Sequence, residues 1–409
     1  AEPVQTYLVR RAKQHQFWMA GRGVEGIRTR MVGREVELAR LQEIFGATLA
    51  QRKLQLVTLV AAAGLGKSRL LQEFDAWLEA QPVSGTIIRG RANQEMQAVP
   101  YALLRDVFSF CFQIQDSDSL KTVQEKMEAG IAAGALASGS AWPAGESPLR
   151  AHLIGYFIGF DLKDSPYLKE ILADSQQIRD RAMIAIVDYF KSLAASSPLV
   201  ILLEDIHWAD DSSLDVIEQV IRLLGRQSAL LIASARPDLF ERRAGWAGDQ
   251  PVQNRLDLAP LSDQDSQRLV EDILQKVKVI PPTLRRLMIS NAEGNPFYME
   301  ELLKMLIEDG VVIKDGEDWQ VDPDRLAAVR VPPTLTAVLQ ARIDLLTAAE
   351  KNTLQYASVF GRTFWEKAVD FIARRSALLD TGHSLAALCR REMVYQSDAP
   401  TLMATAEYI

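Results

Sequence analysis

The feature that most constrains the fold is the stretch VTLVAAAGLGKSRLL at residues 57–71, where an apolar run meets a loop of small residues and then a Gly-Lys-Ser sequence. This order is typical of a loop that binds phosphate groups, because a buried strand delivers the chain to one point and a helix N-terminus faces the phosphates. Gly64 and Gly66 permit a close approach of the backbone, since a Cβ would obstruct it. The pattern therefore predicts a strand, a phosphate-binding loop and a helix.

Two side chains at the end of this loop carry the predicted chemistry. Lys67 is expected to reach the β- and γ-phosphates as a point charge, and the Ser68 hydroxyl is expected to be one ligand of Mg²⁺. The full pattern G-x-x-x-x-G-K-[ST] begins with a glycine, and this chain has Ala61 there. The alternative interpretation is a strand-to-helix turn of small residues with a chance Gly-Lys-Ser sequence.

Length and charge limit the class of protein. The chain has 409 residues, 48% of them hydrophobic, which predicts two or three domains with cores of their own. The formal net charge of -7 argues against a dedicated nucleic-acid surface, because neutralisation of phosphates dominates such binding. No apolar run of about eighteen residues and no signal peptide is found, so a cytoplasmic protein without a membrane partner is expected. Cys111 and Cys389 are expected to be free thiols in apolar surroundings.

The hydrophobic periodicity predicts a series of domains. A strand, a helix and a strand follow one another around the phosphate-binding loop, which indicates an α/β domain with a parallel sheet flanked by helices. Later sequence is helical, apart from a short hairpin whose Asp315-Gly316 pair suits a type I′ turn. The predicted order is a linker at 1–30, a P-loop NTPase domain at 31–258 with a helical insertion at about 95–195, an α-helical domain at 259–310, and a winged-helix-like domain at 311–409.

A second motif is the run PLVILLEDIHWADDSS at residues 198–213, in which apolar residues end in two acids. It predicts a strand that is buried on both faces and delivers carboxylates to the C-terminal edge of the sheet, where parallel sheets bind ligands. One carboxylate there can hold Mg²⁺, and a second can orient the attacking water. From the sequence alone, Glu204 and Asp205 could exchange these roles.

Other polar residues of this run have less specific interpretations. Hydrolysis of a nucleotide at a metal needs no histidine base, so packing and hydrogen bonding are the favoured roles of His207 beside Trp208. Asp210 and Asp211 are further candidates for the site. Asp211 with Ser212 also resembles the N-cap of a following helix.

A third motif is the strand-like run ALLIASARPD at residues 229–238, which ends in Arg236. If this strand neighbours the acid-bearing strand, its tip lies beside the phosphate-binding loop, and a guanidinium there is aimed at the γ-phosphate. Arg236 is therefore predicted to neutralise charge and to report whether the γ-phosphate is present. The alternative is an ordinary surface arginine in a turn.

The sequence GNPFYMEELL, which begins at Gly294, predicts a well-defined helix start. Asn295 is expected to be the N-cap, and Pro296 to occupy the first helical position. By themselves these residues indicate only a helix.

Together the motifs resemble those of the signal-transducing P-loop ATPases called STAND, over about residues 31–400. The sequence Val32-Gly33-Arg34-Glu35 is similar to the family's N-terminal box, which lies against the adenine. Gly294-Asn295-Pro296 is similar to the helical-domain motif whose proline touches the base, and the run from residue 331, VPPTLTAVLQARIDLL, resembles the start of the winged-helix portion. The strongest resemblance is to the ATPase regions behind class III adenylate or guanylate cyclase domains and in large LuxR-type regulators.

The residues and the resemblance together give a set of expected site residues. The expected catalytic residues are Lys67, Glu204, Asp205 and Arg236, and the expected metal ligands are Ser68, Glu204 and Asp205. Those expected to contact ATP or ADP are Val32, Gly33, Arg34, Ala63, Gly64, Leu65, Gly66, Lys67, Ser68, Arg69 and Pro296.

The resemblance implies a conformational switch that binds ATP or ADP and hydrolyses ATP slowly with Mg²⁺. Helical and winged-helix domains would close over ADP, and exchange for ATP would free them to rearrange or to oligomerise. Expected partners are the adenine nucleotide, an attached cyclase or other output domain, and a C-terminal repeat domain. No nucleic-acid partner is expected.

Two departures from the family pattern bear on catalysis: Ala61-Ala62 stands in the loop, and the acids run Glu204-Asp205 where the family has Asp-Asp or Asp-Glu. The main alternative function is a catalytically inactive, nucleotide-sensing module of a DNA-binding transcription regulator. A small-molecule kinase also shares the phosphate loop, but no arginine-rich lid is evident in the sequence.

Overall fold

The computed structural model describes residues 23–27, 29–81, 85–115, 118–137, 145–246, 248, 253–316, 318–361, 363–374, 380–397 and 405–409. Most of the predicted linker at 1–30 lies outside these residues. The chain divides into two compact units, of which one is Gly23–Leu346 and the other contains Thr347–Ile409.

The first unit is built on a five-stranded parallel sheet with the strand order β2-β3-β4-β1-β5. The strands are β1 (Gln55–Val60), β2 (Thr86–Arg91), β3 (Leu199–Glu204), β4 (Ala229–Ala235) and β5 (Gln253–Asp257). Because all of them run in the same direction, their carboxyl ends meet at one edge of the sheet. This confirms the predicted α/β fold and the predicted neighbourhood of the acid-bearing strand β3 and the strand that precedes Arg236.

The central strands are buried because helices cover both faces of the sheet. Strands β3 and β4 are buried along their whole length, as their continuous apolar sequences predict. The helices of this α/β part are α1 (Glu35–Gln51), α2 (Lys67–Ala80), α3 (Ala102–Phe112), α4 (Leu120–Ala137), α5 (Glu146–Phe157), α6 (Ser175–Ser196), α7 (Asp211–Leu223) and α8 (Asp238–Arg242).

Helices α3 to α6 lie between β2 and β3 in the chain, where the sequence predicts a helical insertion. They share one apolar core with the sheet, to which Phe108, Met127 and Ile154 contribute fully buried side chains. The helices therefore pack on the α/β part.

A second apolar core lies in the helical part of the same unit. Its elements are α9 (Asp263–Ile273), α10 (Pro282–Ala292), α11 (Pro296–Glu308), the antiparallel hairpin of β6 (Val312–Asp315) and β7 (Asp318–Val321), α12 (Pro323–Ala328) and α13 (Leu335–Asp344). The predicted hairpin is confirmed, but the assignment of Asp315-Gly316 to its turn is wrong, because Asp315 is the last residue of β6 and pairs with Asp318. Val24 and Ile27 are buried in this core, so the segment that enters the unit is anchored there.

A cluster of charges is buried between two of these helices. The Arg342 side chain on α13 is 1% exposed and pairs with Glu301 and Glu308 on α11. The Nζ atom of Lys304 lies 3.0 Å from the carboxylate of Glu301. Buried charges are costly unless they are paired, so these ion pairs fix α13 against α11.

The second unit contains α14 (Ala348–Ser358), α15 (Glu366–Ala373), α16 (Thr381–Arg390) and a short antiparallel pair, β8 (Phe364–Trp365) with β9 (Glu407–Tyr408). The hairpin β6–β7, which the sequence analysis grouped with these helices at 311–409, belongs to the other unit. The winged-helix assignment and the domain boundaries stay predictions. Among the described residues, no helix combines the length and the apolar character needed to span a bilayer.

Candidate nucleotide site

The phosphate-binding loop connects β1 to α2, as the sequence predicts. Gly66 adopts φ +92° and is the N-cap of α2, and Gly64 adopts φ +83°. L-residues avoid this left-handed region, so both glycines are required by the backbone. Ala61 has no positive φ, so the alanine at the first position of the motif introduces no strain of this kind. Ala62 and Ala63 are exposed, which leaves this side of the loop open to a ligand.

Lys67 lies inside the loop. Its Nζ atom donates hydrogen bonds to the backbone carbonyl oxygens of Ala61 at 2.8 Å and Ala62 at 3.1 Å. Burial lowers the pKa of Lys67, and the nearby charge of Asp205 opposes that effect. A cation held by two neutral carbonyls can exchange them for phosphate oxygens, which are stronger partners.

The Ser68 hydroxyl and the first acid of β3 meet at the strand edge. Ser68 Oγ donates to Glu204 Oε2 at 2.7 Å, and Glu204 is fully buried. Asp205, the next residue, adopts φ +55°, and its N–H donates to the Ser234 hydroxyl at 3.1 Å. The two acids therefore occupy different places at the edge, and Glu204 is the one that lies beside Ser68.

Sequence reasoning missed the partner of Glu204. Arg91, the last residue of β2, is in register with Glu204 across the β2–β3 pair, and its guanidinium forms an ion pair with the carboxylate. An arginine that ends a strand is a weak signal by itself. It becomes informative only once the order of the strands is known.

The structure partly corrects the interpretation of His207. Its ring packs against Trp208 with 5.0 Å between centroids, as predicted. The predicted hydrogen bonding is wrong, because neither ring nitrogen has a hydrogen-bond partner among the described residues. Burial lowers the pKa of His207 to about 4, with Asp205 opposing the shift, so the ring is neutral at pH 7.

The helix cap of α7 is also one residue earlier than the predicted Asp211 and Ser212. Asp210 is the N-cap, and it accepts a hydrogen bond from the N–H of Ser213 at 2.8 Å. The same carboxylate accepts from the N–H of Tyr101 at 2.7 Å. Asp210 is buried and occupied by these contacts, which make it a structural link between the starts of α3 and α7.

Arg236 directly follows β4, the strand that lies between β3 and β1. Its guanidinium is 5.9 Å from the centre of the Trp208 ring. Its charge lowers the pKa of both Lys67 and His207, which places it near the loop. No described residue forms a hydrogen bond or an ion pair with the Arg236 guanidinium, so this cation can engage a ligand.

The N-terminal box touches the loop through its arginine. The Arg34 guanidinium donates to the carbonyl oxygens of Leu65 at 3.1 Å and Ala259 at 2.6 Å. The Arg34 side chain is buried by these contacts, so its role is to hold the loop against the end of the sheet. Gly33 has φ +68°, and a Cβ there would lie 2.9 Å from Asp265. Val32 is half-buried.

The turn before α11 lies directly on the phosphate-binding loop. Asn295 Nδ2 donates to the Ala63 carbonyl at 3.1 Å, and the N–H of Phe297 lies 3.4 Å from the Gly64 carbonyl. Asn295 caps α11 and Pro296 is its first residue, as predicted. The contact from Asn295 to the loop was not predicted, because it joins residues more than 200 positions apart.

A third segment crosses the start of α2. The Arg69 guanidinium donates to the Thr29 carbonyl at 2.8 Å, and Thr29 Oγ1 lies 3.5 Å from Glu300 on α11. The N–H of Arg30 donates to Asp272 on α9 at 2.7 Å. The chain that leads into the box is thus tied to both the α/β part and the helical part.

The contact between Gly64 and Asn295 gives a stability prediction. A Cβ at Gly64 would lie 2.5 Å from Asn295 Oδ1, whereas one at Gly66 would meet nothing within 4 Å. Both alanine variants suffer from the positive φ, but we expect Gly64→Ala to lower the free energy of unfolding by about 1 kcal/mol more than Gly66→Ala. Denaturant unfolding without nucleotide measures this difference. It should vanish in an Asn295→Ala background, and equal losses in the wild-type background would contradict the contact.

The unpartnered ring of His207 gives a second prediction. His207→Phe keeps an aromatic ring against Trp208 and removes two buried polar atoms without partners. We expect the free energy of unfolding at pH 7 to stay equal or to rise by about 1 kcal/mol. Nucleotide affinity should stay within about threefold, because the packing role requires no contact with the ligand.

The pH dependence of this variant has a definite sign. The pKa of His207 falls from its ordinary value of 6.5 to about 4, so the unfolded chain takes up a proton first as the pH falls. The histidine therefore makes the wild-type protein lose stability between pH 6.5 and pH 4. We expect His207→Phe to lack this component, which is at most about 3 kcal/mol. If the free energy of unfolding of both proteins fell equally between pH 6.5 and pH 4, the prediction would be wrong.

A match to a known protein family covers the phosphate-binding loop and the acid-bearing strand β3. Residues 30–233 match the family described as AAA ATPase domain. An uncharacterized protein of Rhizobium meliloti (strain 1021) is 23% identical over 358 residues, covering 81% of this chain and 30% of that relative. The chain thus spans less than a third of the length of the curated relative it matches.

Two solved structures resemble the chain at a sequence identity below 15%. The ORC1 protein of Aeropyrum pernix, in complex with DNA, has a TM-score of 0.43 at 14% identity, with 94% of this chain and 90% of that chain covered. Cdc6p from Pyrobaculum aerophilum has a TM-score of 0.41 at 12% identity, with 94% and 92% covered. The matched family, the strand order and the loop geometry agree on one identification: residues 30–233 form a P-loop ATPase module of the AAA type.

Proposed function

We propose that this chain is the nucleotide-dependent switch of a larger signalling protein, of the STAND class, which binds ATP or ADP and hydrolyses ATP slowly with Mg²⁺. The observation that carries the proposal is the meeting of two distant segments at one loop. Arg34 from the box and Asn295 from the helical part both contact the phosphate-binding loop, whose own Lys67 is held for exchange with phosphate. A nucleotide bound there adjoins both parts of the unit.

This arrangement provides the coupling that a switch requires. A ligand shifts a conformational equilibrium only when it contacts the two states differently. ADP and ATP differ by the γ-phosphate, and we assign Arg236 to sense it. The turn at Pro296 would transmit that difference to α11. The buried ion pairs of Arg342 fix α13 to α11, so α13 would follow.

The side chains at the C-terminal edge of the sheet fit Mg²⁺, and we assign each of them a role. Ser68 Oγ and Glu204 Oε2 are hard oxygen donors 2.7 Å apart, the ligand type that this ion prefers. We assign Ser68 and Glu204 to the ion and Asp205 to the attacking water, which it would orient by accepting a hydrogen bond from it. The ion supplies charge neutralisation at the phosphates. Lys67 binds the β- and γ-phosphates, and Arg236 neutralises the charge that develops during transfer.

The output belongs to parts of the protein beyond this chain. The matched relative is much longer than the chain, which is consistent with a module inside a multidomain protein. By the family resemblance, the switch regulates an attached cyclase or another output domain, a C-terminal repeat domain follows it, and the ATP state oligomerises. The protein acts in the cytoplasm.

The direct test is to denature the purified protein and identify the nucleotide that is released. We expect an adenine nucleotide in near-stoichiometric amount from the wild-type chain and none from Lys67→Ala. A protein that releases none, and that binds neither ADP nor ATP when they are added, would refute the proposal. Binding without phosphate release would identify an inactive nucleotide sensor.

A further inference from the structure

The ion pair between Arg91 and Glu204 lies at the candidate site, and no sequence motif assigns it a role. Glu204 is fully buried, and its two oxygens are divided between two partners. Oε2 accepts from the Ser68 hydroxyl at 2.7 Å, and Oε1 faces the Arg91 guanidinium. Arg91 thus holds one side of the carboxylate whose other side lies at the proposed metal position.

The backbone of Arg91 is fixed from several directions. Its N–H donates to the Asp106 carboxylate on α3 at 2.8 Å, and the N–H of Ala92 donates to the Glu204 carbonyl at 3.0 Å. An added Cβ at Gly90 would collide with Val107 on the same helix, so β2 and α3 are in close contact there. The guanidinium is therefore carried by a rigid strand end, which is what precise positioning of a second side chain needs.

The identity of the acid explains why a positioning group is useful. Glutamate has one more rotatable bond than aspartate, so a glutamate at the end of β3 can point its carboxylate in more directions. The Nη2 atom of Arg91 donates a charge-assisted hydrogen bond to Oε1 of Glu204, and this contact restricts that freedom. Removal of the guanidinium would leave a buried carboxylate that is free to turn away from Ser68 toward other donors.

We propose that Arg91 is a positioning residue that holds the Glu204 carboxylate toward Ser68 and thereby sets the affinity of the site for Mg²⁺. The inference rests on the proposed function, since it assumes that nucleotide and Mg²⁺ bind at this loop. In this proposal, the contact with Arg91 gives Glu204 the fixed orientation that the shorter side chain of an aspartate would have by itself. The opposite effect would follow from charge alone, because removal of a cation would strengthen the binding of Mg²⁺.

The test measures how the affinity for mant-ADP, a fluorescent analogue of ADP, depends on the Mg²⁺ concentration. We expect Arg91→Met to raise the Mg²⁺ concentration for half-maximal effect about tenfold or more, as losses of groups that orient metal ligands do. The affinity measured in EDTA, without Mg²⁺, should stay within about twofold of wild type, because Arg91 pairs with Glu204 and is not assigned to the phosphates. An unchanged or lowered Mg²⁺ requirement would overturn the proposal.

A matched control lies two residues earlier on the same strand. Arg89 pairs with Asp75 on α2 at 2.5 Å in a similarly buried ion pair, whereas the partner of Arg91 is Glu204. We expect Arg89→Met to leave the Mg²⁺ requirement within about twofold, even if it lowers stability. An equal rise in both variants would show that loss of any buried arginine loosens the site, and would overturn the specific role of Arg91.

Two more variants complete the design. In a Glu204→Asp background, Arg91→Met should change the Mg²⁺ requirement by no more than about twofold, and an undiminished effect would contradict the proposal. If Arg91→Met does not fold, Arg91→Lys replaces the guanidinium with an ammonium on a flexible stem, which holds the carboxylate less firmly. It should raise the Mg²⁺ requirement about threefold or more, and no rise would count against the proposal. Failure of the proposed function looks different, because the wild-type protein would then bind no mant-ADP at any Mg²⁺ concentration.

Discussion

Lys67→Ala is expected to weaken the binding of ATP and ADP by about 100-fold or more, because the ammonium is the main cation inside the loop. Its two hydrogen bonds to the carbonyls of Ala61 and Ala62 hold the ammonium inside the loop, where we propose that the phosphates bind. The fold should survive, since these bonds contribute only about 1 kcal/mol each to stability.

Isothermal titration calorimetry with ADP measures this loss of affinity directly. Lys53→Ala is the matched control, because Lys53 is exposed and precedes β1. It should bind ADP as the wild-type protein does. Equal affinities of all three proteins would mean that the loop around Lys67 does not hold the phosphates.

Glu204→Gln and Asp205→Asn are each expected to lower the rate of ATP hydrolysis by about 100-fold or more while nucleotide is still bound. The structure separates their effects, since Glu204 lies beside Ser68 and Asp205 leaves the strand in a left-handed conformation. Glu204→Gln should also raise the Mg²⁺ requirement. Asp205→Asn should leave that requirement unchanged, because it removes only the group that orients water.

Release of phosphate at several Mg²⁺ concentrations, with retained nucleotide measured in the same samples, distinguishes the two variants. Asp211→Asn serves as the control, since Asp211 is an exposed residue in the first turn of α7. Wild-type turnover in both site variants would remove the acids from the reaction. Loss of bound nucleotide in both would place them in binding and not in hydrolysis.

The local parts of the site could be predicted from the sequence because short-range patterns encode them. A strand, two glycines, Lys67 and Ser68 are neighbours in the chain, and the structure has them in the predicted order. The acid-bearing β3 and the position of Arg236 followed from the same logic, because parallel strands end at one edge. The hairpin was also predicted, although its turn is shifted by one residue: Asp315 pairs with Asp318 in the ladder, and Gly316 with φ +62° follows the strand.

Contacts between distant residues could not be predicted, because no local pattern encodes them. Arg91 meets Glu204 only because β2 and β3 are neighbours in this register. Arg34 was expected near the adenine, but its guanidinium is engaged by the carbonyls of Leu65 and Ala259. The cap at Asp210 was missed because two consecutive aspartates offer the same local signal, and tertiary contacts to Tyr101 decide between them.

The claim on which the account depends is that one nucleotide touches both the phosphate-binding loop and the turn at Pro296. Hydrogen exchange of the backbone amides in residues 61–68 and 295–299, with ADP, with a non-hydrolysable ATP analogue and without nucleotide, tests it directly. We predict protection of both segments on binding, with a difference between ADP and the analogue in residues 295–299, and no change in Lys67→Ala. Protection confined to residues 61–68 with both nucleotides would contradict the claim.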